Sequence, residues 1–110
     1  MVIKMRRTRD IGRLVLDLIS DVDIKRVSPE RVRELFGKNA VAGIRENGVN
    51  NTIYVGKGQS HADTVRCILH ELSHYYSYKY ENIPPDQHDE ETIEHRASAW
   101  KKVLYSDDVK

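Results

Sequence analysis

The residues His70-Glu71-Leu72-Ser73-His74 set two imidazoles four positions apart, with a carboxylate beside the first. On a helix this spacing puts both rings on one face, one turn apart, where they can occupy two corners of a tetrahedral metal site. Glu71 is rotated by about 100° from His70. That is too far for a third ligand, but well placed to hold a water on the metal. The pattern is H-E-x-x-H, in which the histidines bind zinc and the glutamate serves as general base. The chain has five His and eight Glu among 110 residues. A shuffled chain of that composition produces the pattern with an expectation of only roughly 0.02.

A catalytic zinc needs a third protein ligand and one open position. Ser77 and Tyr80 stand where a metzincin would carry Gly and His, so that pattern is absent. The remaining donors are His88, Glu90, Glu91, Glu94 and His95. Glu94 is the first choice. It lies 20 residues beyond His74, which leaves room for a turn and an antiparallel return. It sits beside an apolar stripe, and the small Ala97 lets two helices approach closely. Glu90, one turn earlier on the same side, is the runner-up; Glu91 points further round, and His88 and His95 read chiefly as solvated. Ser98, one turn after Glu94, is a candidate to orient that ligand. Tyr75, Tyr76, Tyr78, Tyr80, His88 and His95 are all candidates for stabilising an oxyanion, and no one of them stands out. Cys67, one turn before His70, reads as a small buried hydrophobe near the metal face.

These residues need elements to hold them. Ser60, with Asp63 three positions on, begins a capping box, so the spacing predicts a helix over 61–78 with Val65, Leu69, Leu72 and Tyr76 buried. Pro84-Pro85 breaks the chain. A last helix starts near Asp89, with acids at its positive end and Ile93, Ala97, Trp100 and Leu104 buried. Upstream, Asp10 caps a helix to about Asp21, with Leu14, Val15, Leu18 and Ile19 as its apolar side. Ser28-Pro29 opens a short helix that Gly37 ends after Phe36. Val41–Arg45 and Thr52–Val55 flank the turn-rich Asn47-Gly48-Val49-Asn50-Asn51 and read as a β-hairpin. Thr52–Val55 is the candidate edge strand for an extended peptide. The class is α+β: N-terminal helices, a short antiparallel sheet, the H-E-x-x-H helix and a C-terminal glutamate helix, as one domain over 1–110.

Composition narrows the function. A net charge of +1 disfavours nucleic-acid binding, and the basic group Lys4, Arg6, Arg7, Arg9 and Arg13 reads as a solvated face. Apolar runs fall far short of the roughly 20 residues that span a bilayer. The N-terminus lacks a signal-peptide core, and the single Cys67 excludes an internal disulfide. A soluble, cytoplasmic protein is the expectation.

H-E-L-S-H followed 20 residues later by Glu94-x-x-Ala97 resembles the gluzincin metallopeptidases, whose zinc ligands are two His and a Glu. Within that group, the short chain and its element order over 52–104 resemble the minigluzincins, small prokaryotic metallopeptidases. The resemblance implies one zinc ion on His70, His74 and Glu94, with Glu71 as general base acting on a peptide or protein substrate. It also implies a zymogen blocked by its C-terminal segment. In the tail, over about 105–110, Asp107 or Asp108 could reach the zinc. The block would act within a monomer or through a homodimer that exchanges C-terminal helices. The chain departs from thermolysin-like members in having Ser98, not Asp, four residues after Glu94. The alternative function is a zinc-binding regulatory or interaction module with little peptidase activity. The intact Glu71 argues against it, since a purely structural site has no use for that carboxylate.

Overall fold

The computed structural model describes residues 8–46 and 51–105. Eight segments follow in chain order: α1 (Thr8–Ser20), β1 (Val22–Val27), α2 (Pro29–Phe36), β2 (Ala42–Glu46), β3 (Asn51–Gly56), α3 (His61–Tyr80), a 3₁₀ turn (Pro85–Gln87) and α4 (Glu90–Leu104). The fold is α+β, as the sequence predicts, but the sheet is mixed rather than antiparallel. Its order is β1-β3-β2, with β2 antiparallel and β1 parallel to β3. The hairpin is present; β1 is the strand that sequence reasoning missed.

This order corrects the expectation for Thr52–Val55. They belong to the central strand, hydrogen-bonded on both sides, so they cannot receive a peptide. Among the described residues, β2 is the edge strand beside α3.

The alternation of β3 sorts the layers. Ile53 and Val55 face α1, α3 and α4 and join Val15, Leu18, Leu69, Leu72, Tyr75, Ala97 and Trp100 in one core. On the other face, the α2 residue Phe36 packs against Tyr54, ring centroids 5.9 Å apart. Gly43 pairs with Tyr54 across the hairpin. A Cβ on Gly43 would come within 2.4–2.6 Å of the Phe36 ring, so the absent side chain is what lets α2 lie flat there.

The expected stripes hold in their middles and fail at their ends. Ile19 and Leu104 are exposed rather than buried, because each lies at the end of a helix. Val65 and Tyr76 are half-buried. α1 begins at Thr8, so Asp10 lies inside the helix rather than capping it. Ser28 caps α2 by accepting from the Arg31 N–H. No helix among the described residues is long and apolar enough to cross a membrane.

Candidate metal centre

Ser60 fixes the start of α3, its hydroxyl oxygen accepting from the Asp63 N–H at 3.1 Å. The helix runs two residues past the expected end, to Tyr80. It closes on Asn82, at φ 57°, with the Ile83 N–H donating to the Ser77 carbonyl at 3.0 Å. Asparagine tolerates this left-handed backbone, which ends the helix there. Asp89 caps α4, accepting from the Thr92 hydroxyl at 2.6 Å and its N–H at 3.2 Å. Those bonds, the hydroxyl's above all, hold the Asp89 carboxyl below the ordinary carboxylate range.

α3 and α4 then run antiparallel and are bolted together by polar groups. The Ser73 hydroxyl donates to the Ile93 carbonyl at 3.0 Å. Arg96 donates from Nε to Ser73 Oγ at 2.9 Å and from Nη2 to Ser77 Oγ at 2.5 Å, and its guanidinium lies 4.6 Å from the centre of the Tyr76 ring. This clamp sets which turn of α4 meets which turn of α3.

In that register His70 and His74 both face Glu90. His70 Nε2 lies 3.3 Å from Glu90 Oε1, and His74 Nε2 lies 3.3 Å from Glu90 Oε2. One ligand atom from each of the three residues falls within 4.8 Å of the other two. These three residues lie close enough together to hold a metal ion, and zinc takes donors of this kind, two imidazoles and a carboxylate.

Glu94, the expected ligand, is placed differently. Its Oε1 lies 2.8 Å from Nδ1 of His70, on the far side of the ring from Glu90. A carboxylate can only accept, so Nδ1 carries the proton, and in the neutral ring Nε2 keeps its lone pair toward Glu90. The structure thus groups the runner-up Glu90 with the two histidines and sets Glu94 behind His70. The reason is register: Glu94 lies level with His70, whereas Glu90, one turn earlier, faces the gap between the two rings. Ser98 reaches Glu94 rather than the ligand group, its hydroxyl donating to Oε2 at 3.4 Å.

His74 is supported by a second histidine. Its Nδ1 lies 2.7 Å from Nδ1 of His88, whose Nε2 lies 2.8 Å from the Ile83 carbonyl oxygen. Burial holds His74 below the ordinary imidazole range; Glu90 opposes that shift, and His70 and His88 add to it. A neutral imidazole is the form that binds metal.

Glu71 is buried, at 9% exposure. With His70, Glu94 and Cys67 it lines a cavity of about 310 Å³ that reaches Val41 and Ala42 at the edge of the sheet. Cys67 lies outside the ligand group; its thiol faces Gln59 Oε1 at 3.4 Å, and burial pushes its pKa up. A larger hollow of about 690 Å³, lined by Asp21, Asn51, Tyr75 and Tyr78 among others, lies toward the C-terminal end of α3. Of the oxyanion candidates, Tyr76 packs edge-on against Trp100 and Tyr80 is exposed. His88 lies against His74. His95 and Glu91 are exposed. Asp107 and Asp108 lie outside the described residues, as do Lys4, Arg6 and Arg7.

Comparison with protein families, with curated proteins and with solved structures finds no match. The case for function therefore rests on this geometry.

Proposed function

We propose that the protein is a zinc-dependent peptidase of the gluzincin type. The observation that carries this reading is the convergence of His70 Nε2 and His74 Nε2 on the Glu90 carboxylate, each at 3.3 Å, with Glu71 on the adjoining cavity wall. His70, His74 and Glu90 would hold the ion. When bound, zinc supplies Lewis-acid polarisation and lowers the pKa of water toward 7.

The residues supply the rest. Glu71, one position after His70, takes the proton of the attacking water and passes it to the leaving amine. Its burial beside the cavity keeps bulk water from competing for that carboxylate. Glu94 keeps the His70 ring turned so that Nε2 faces forward. The edge strand β2 runs to the same cavity, and an extended peptide can add to such an edge through its main-chain hydrogen bonds.

Glu71→Gln supplies the test. It leaves all three ligands in place and removes the base. The variant should bind zinc as the wild type does and cleave an unstructured peptide at least roughly 10²-fold more slowly. Cleavage at the wild-type rate would remove Glu71 from the mechanism. A wild type that binds zinc and cleaves nothing would leave a zinc-binding module.

A further inference from the structure

We propose that His88 is a positioning residue of this centre, one that takes its proton arrangement from the main chain at the end of α3 and passes it to His74. The inference rests on the reading that His70, His74 and Glu90 hold a zinc ion.

A backbone carbonyl has no proton to give. At 2.8 Å the Ile83 oxygen can only accept, so His88 Nε2 carries a hydrogen and donates it. In the neutral ring His88 Nδ1 is then bare. It lies 2.7 Å from His74 Nδ1, so His74 is the donor of that bond. The two rings are tilted by only 20° with centroids 5.0 Å apart, so the nitrogens meet edge to edge in nearly one plane, as a hydrogen bond requires. With its proton on Nδ1, His74 presents a bare Nε2 to Glu90. One carbonyl, two hydrogen bonds away, thereby sets the tautomer that a metal needs. His70 reaches the same state through Glu94, so the two ligands are prepared by two unrelated partners.

The carbonyl is itself held. Asn82 turns the chain at φ 57°, the Ile83 N–H is tied to Ser77, and Pro84-Pro85 leads into the 3₁₀ turn whose last bond, from the His88 N–H to the Pro85 carbonyl at 3.3 Å, anchors His88. The bend between the two helices thus delivers both ends of the relay.

The first measurement is made on the metal-free wild type, at a pH well above the imidazole range. Long-range ¹⁵N–¹H correlation spectra of the histidine rings should show His74 protonated on Nδ1 and His88 on Nε2. The opposite pattern in either ring overturns the proposal. The second measurement is zinc affinity by chelator competition. His88→Leu should lower it roughly 10–100-fold, the usual cost of losing a ligand's outer partner. His88→Gln should stay within a few fold of wild type, because its amide can accept from His74 and donate to Ile83 at once. Equal affinity in wild type and His88→Leu overturns the proposal, as does a folded His88→Gln that binds as poorly as His88→Leu. The cobalt(II) absorption spectrum of His88→Gln should match wild type; a lost nitrogen ligand would make His88 a ligand instead and overturn the positioning role. A wild type that takes up no zinc yet shows the stated ring protons would retain the relay and reject the metal reading.

Discussion

The roles of Glu90 and Glu94 can be separated by replacing each with glutamine, which preserves shape and removes charge. Glu90 spans both Nε2 atoms at 3.3 Å, so Glu90→Gln removes the anionic donor itself. Four-ligand protein zinc sites bind with about 10–16 kcal/mol, or roughly 3 kcal/mol per ligand. Losing that much weakens binding by roughly 10²-fold. Glu94 touches only the back of His70, at 2.8 Å. A glutamine there can still accept from Nδ1–H, so Glu94→Gln should cost about tenfold, the lower end for an outer partner. Zinc affinity by chelator competition gives both numbers. Cobalt(II) absorption provides an independent check: it should change in Glu90→Gln and stay close to wild type in Glu94→Gln. If Glu94→Gln loses more affinity than Glu90→Gln, and its cobalt spectrum is the one that changes, the ligand is Glu94 and the register argued above is wrong.

Two further outcomes follow from the same contacts. Arg96 makes hydrogen bonds of 2.9 and 2.5 Å to Ser73 and Ser77 with its side chain only 16% exposed. Arg96→Met should therefore cost about 2–4 kcal/mol and lower the thermal midpoint by roughly 10 °C. Arg96→Lys, lacking the fork, should recover little of it, and an unchanged midpoint in either variant refutes the clamp. The second outcome concerns pH. Burial holds the His74 pKa below the ordinary 6.5, so the unfolded chain takes up that proton first as pH falls. Stability of the metal-free protein should therefore decline once pH drops below about 6.5, and level off when the folded ring also titrates. Urea midpoints across that range report it; a flat profile, or a slope that survives in His74→Asn, rules it out.

Local signals in the sequence were reliable guides where the physics itself is local. Ser28-Pro29 and Gly37 bracket α2, Ser60 starts α3 and Asp89 starts α4, because a cap is a contact within four residues of the helix it serves. His70 and His74 were legible for the same reason. β1 was not. Its sequence Val22-Asp23-Ile24-Lys25-Arg26-Val27 alternates only briefly, and its inner residues are exposed. It is a strand because β3, some thirty residues away, offers a parallel edge, and no nearby residue announces that pairing.

The choice between Glu90 and Glu94 is non-local in the same way. They differ by one helical turn, about 5.4 Å of travel along α4, and nothing in the spacing to His74 decides between them. The Ser73–Ile93 bond and the Arg96 clamp set the register that groups Glu90, and not Glu94, with the two histidines. A trace of the answer was nonetheless in the sequence. Glu90 and Glu94 are four apart, as are His70 and His74. When two such pairs face each other on antiparallel helices, one carboxylate can sit between the imidazoles and the other behind one of them. The substitution at Ser98 then takes on a different meaning. Counted from Glu94, the chain lacks the carboxylate that thermolysin-like proteins carry four residues after their glutamate ligand. Counted from Glu90, the residue four positions on is Glu94, a carboxylate that lies 2.8 Å from Nδ1 of His70. With Glu90 as the ligand, as proposed here, the departure from the gluzincin pattern at Ser98 does not arise.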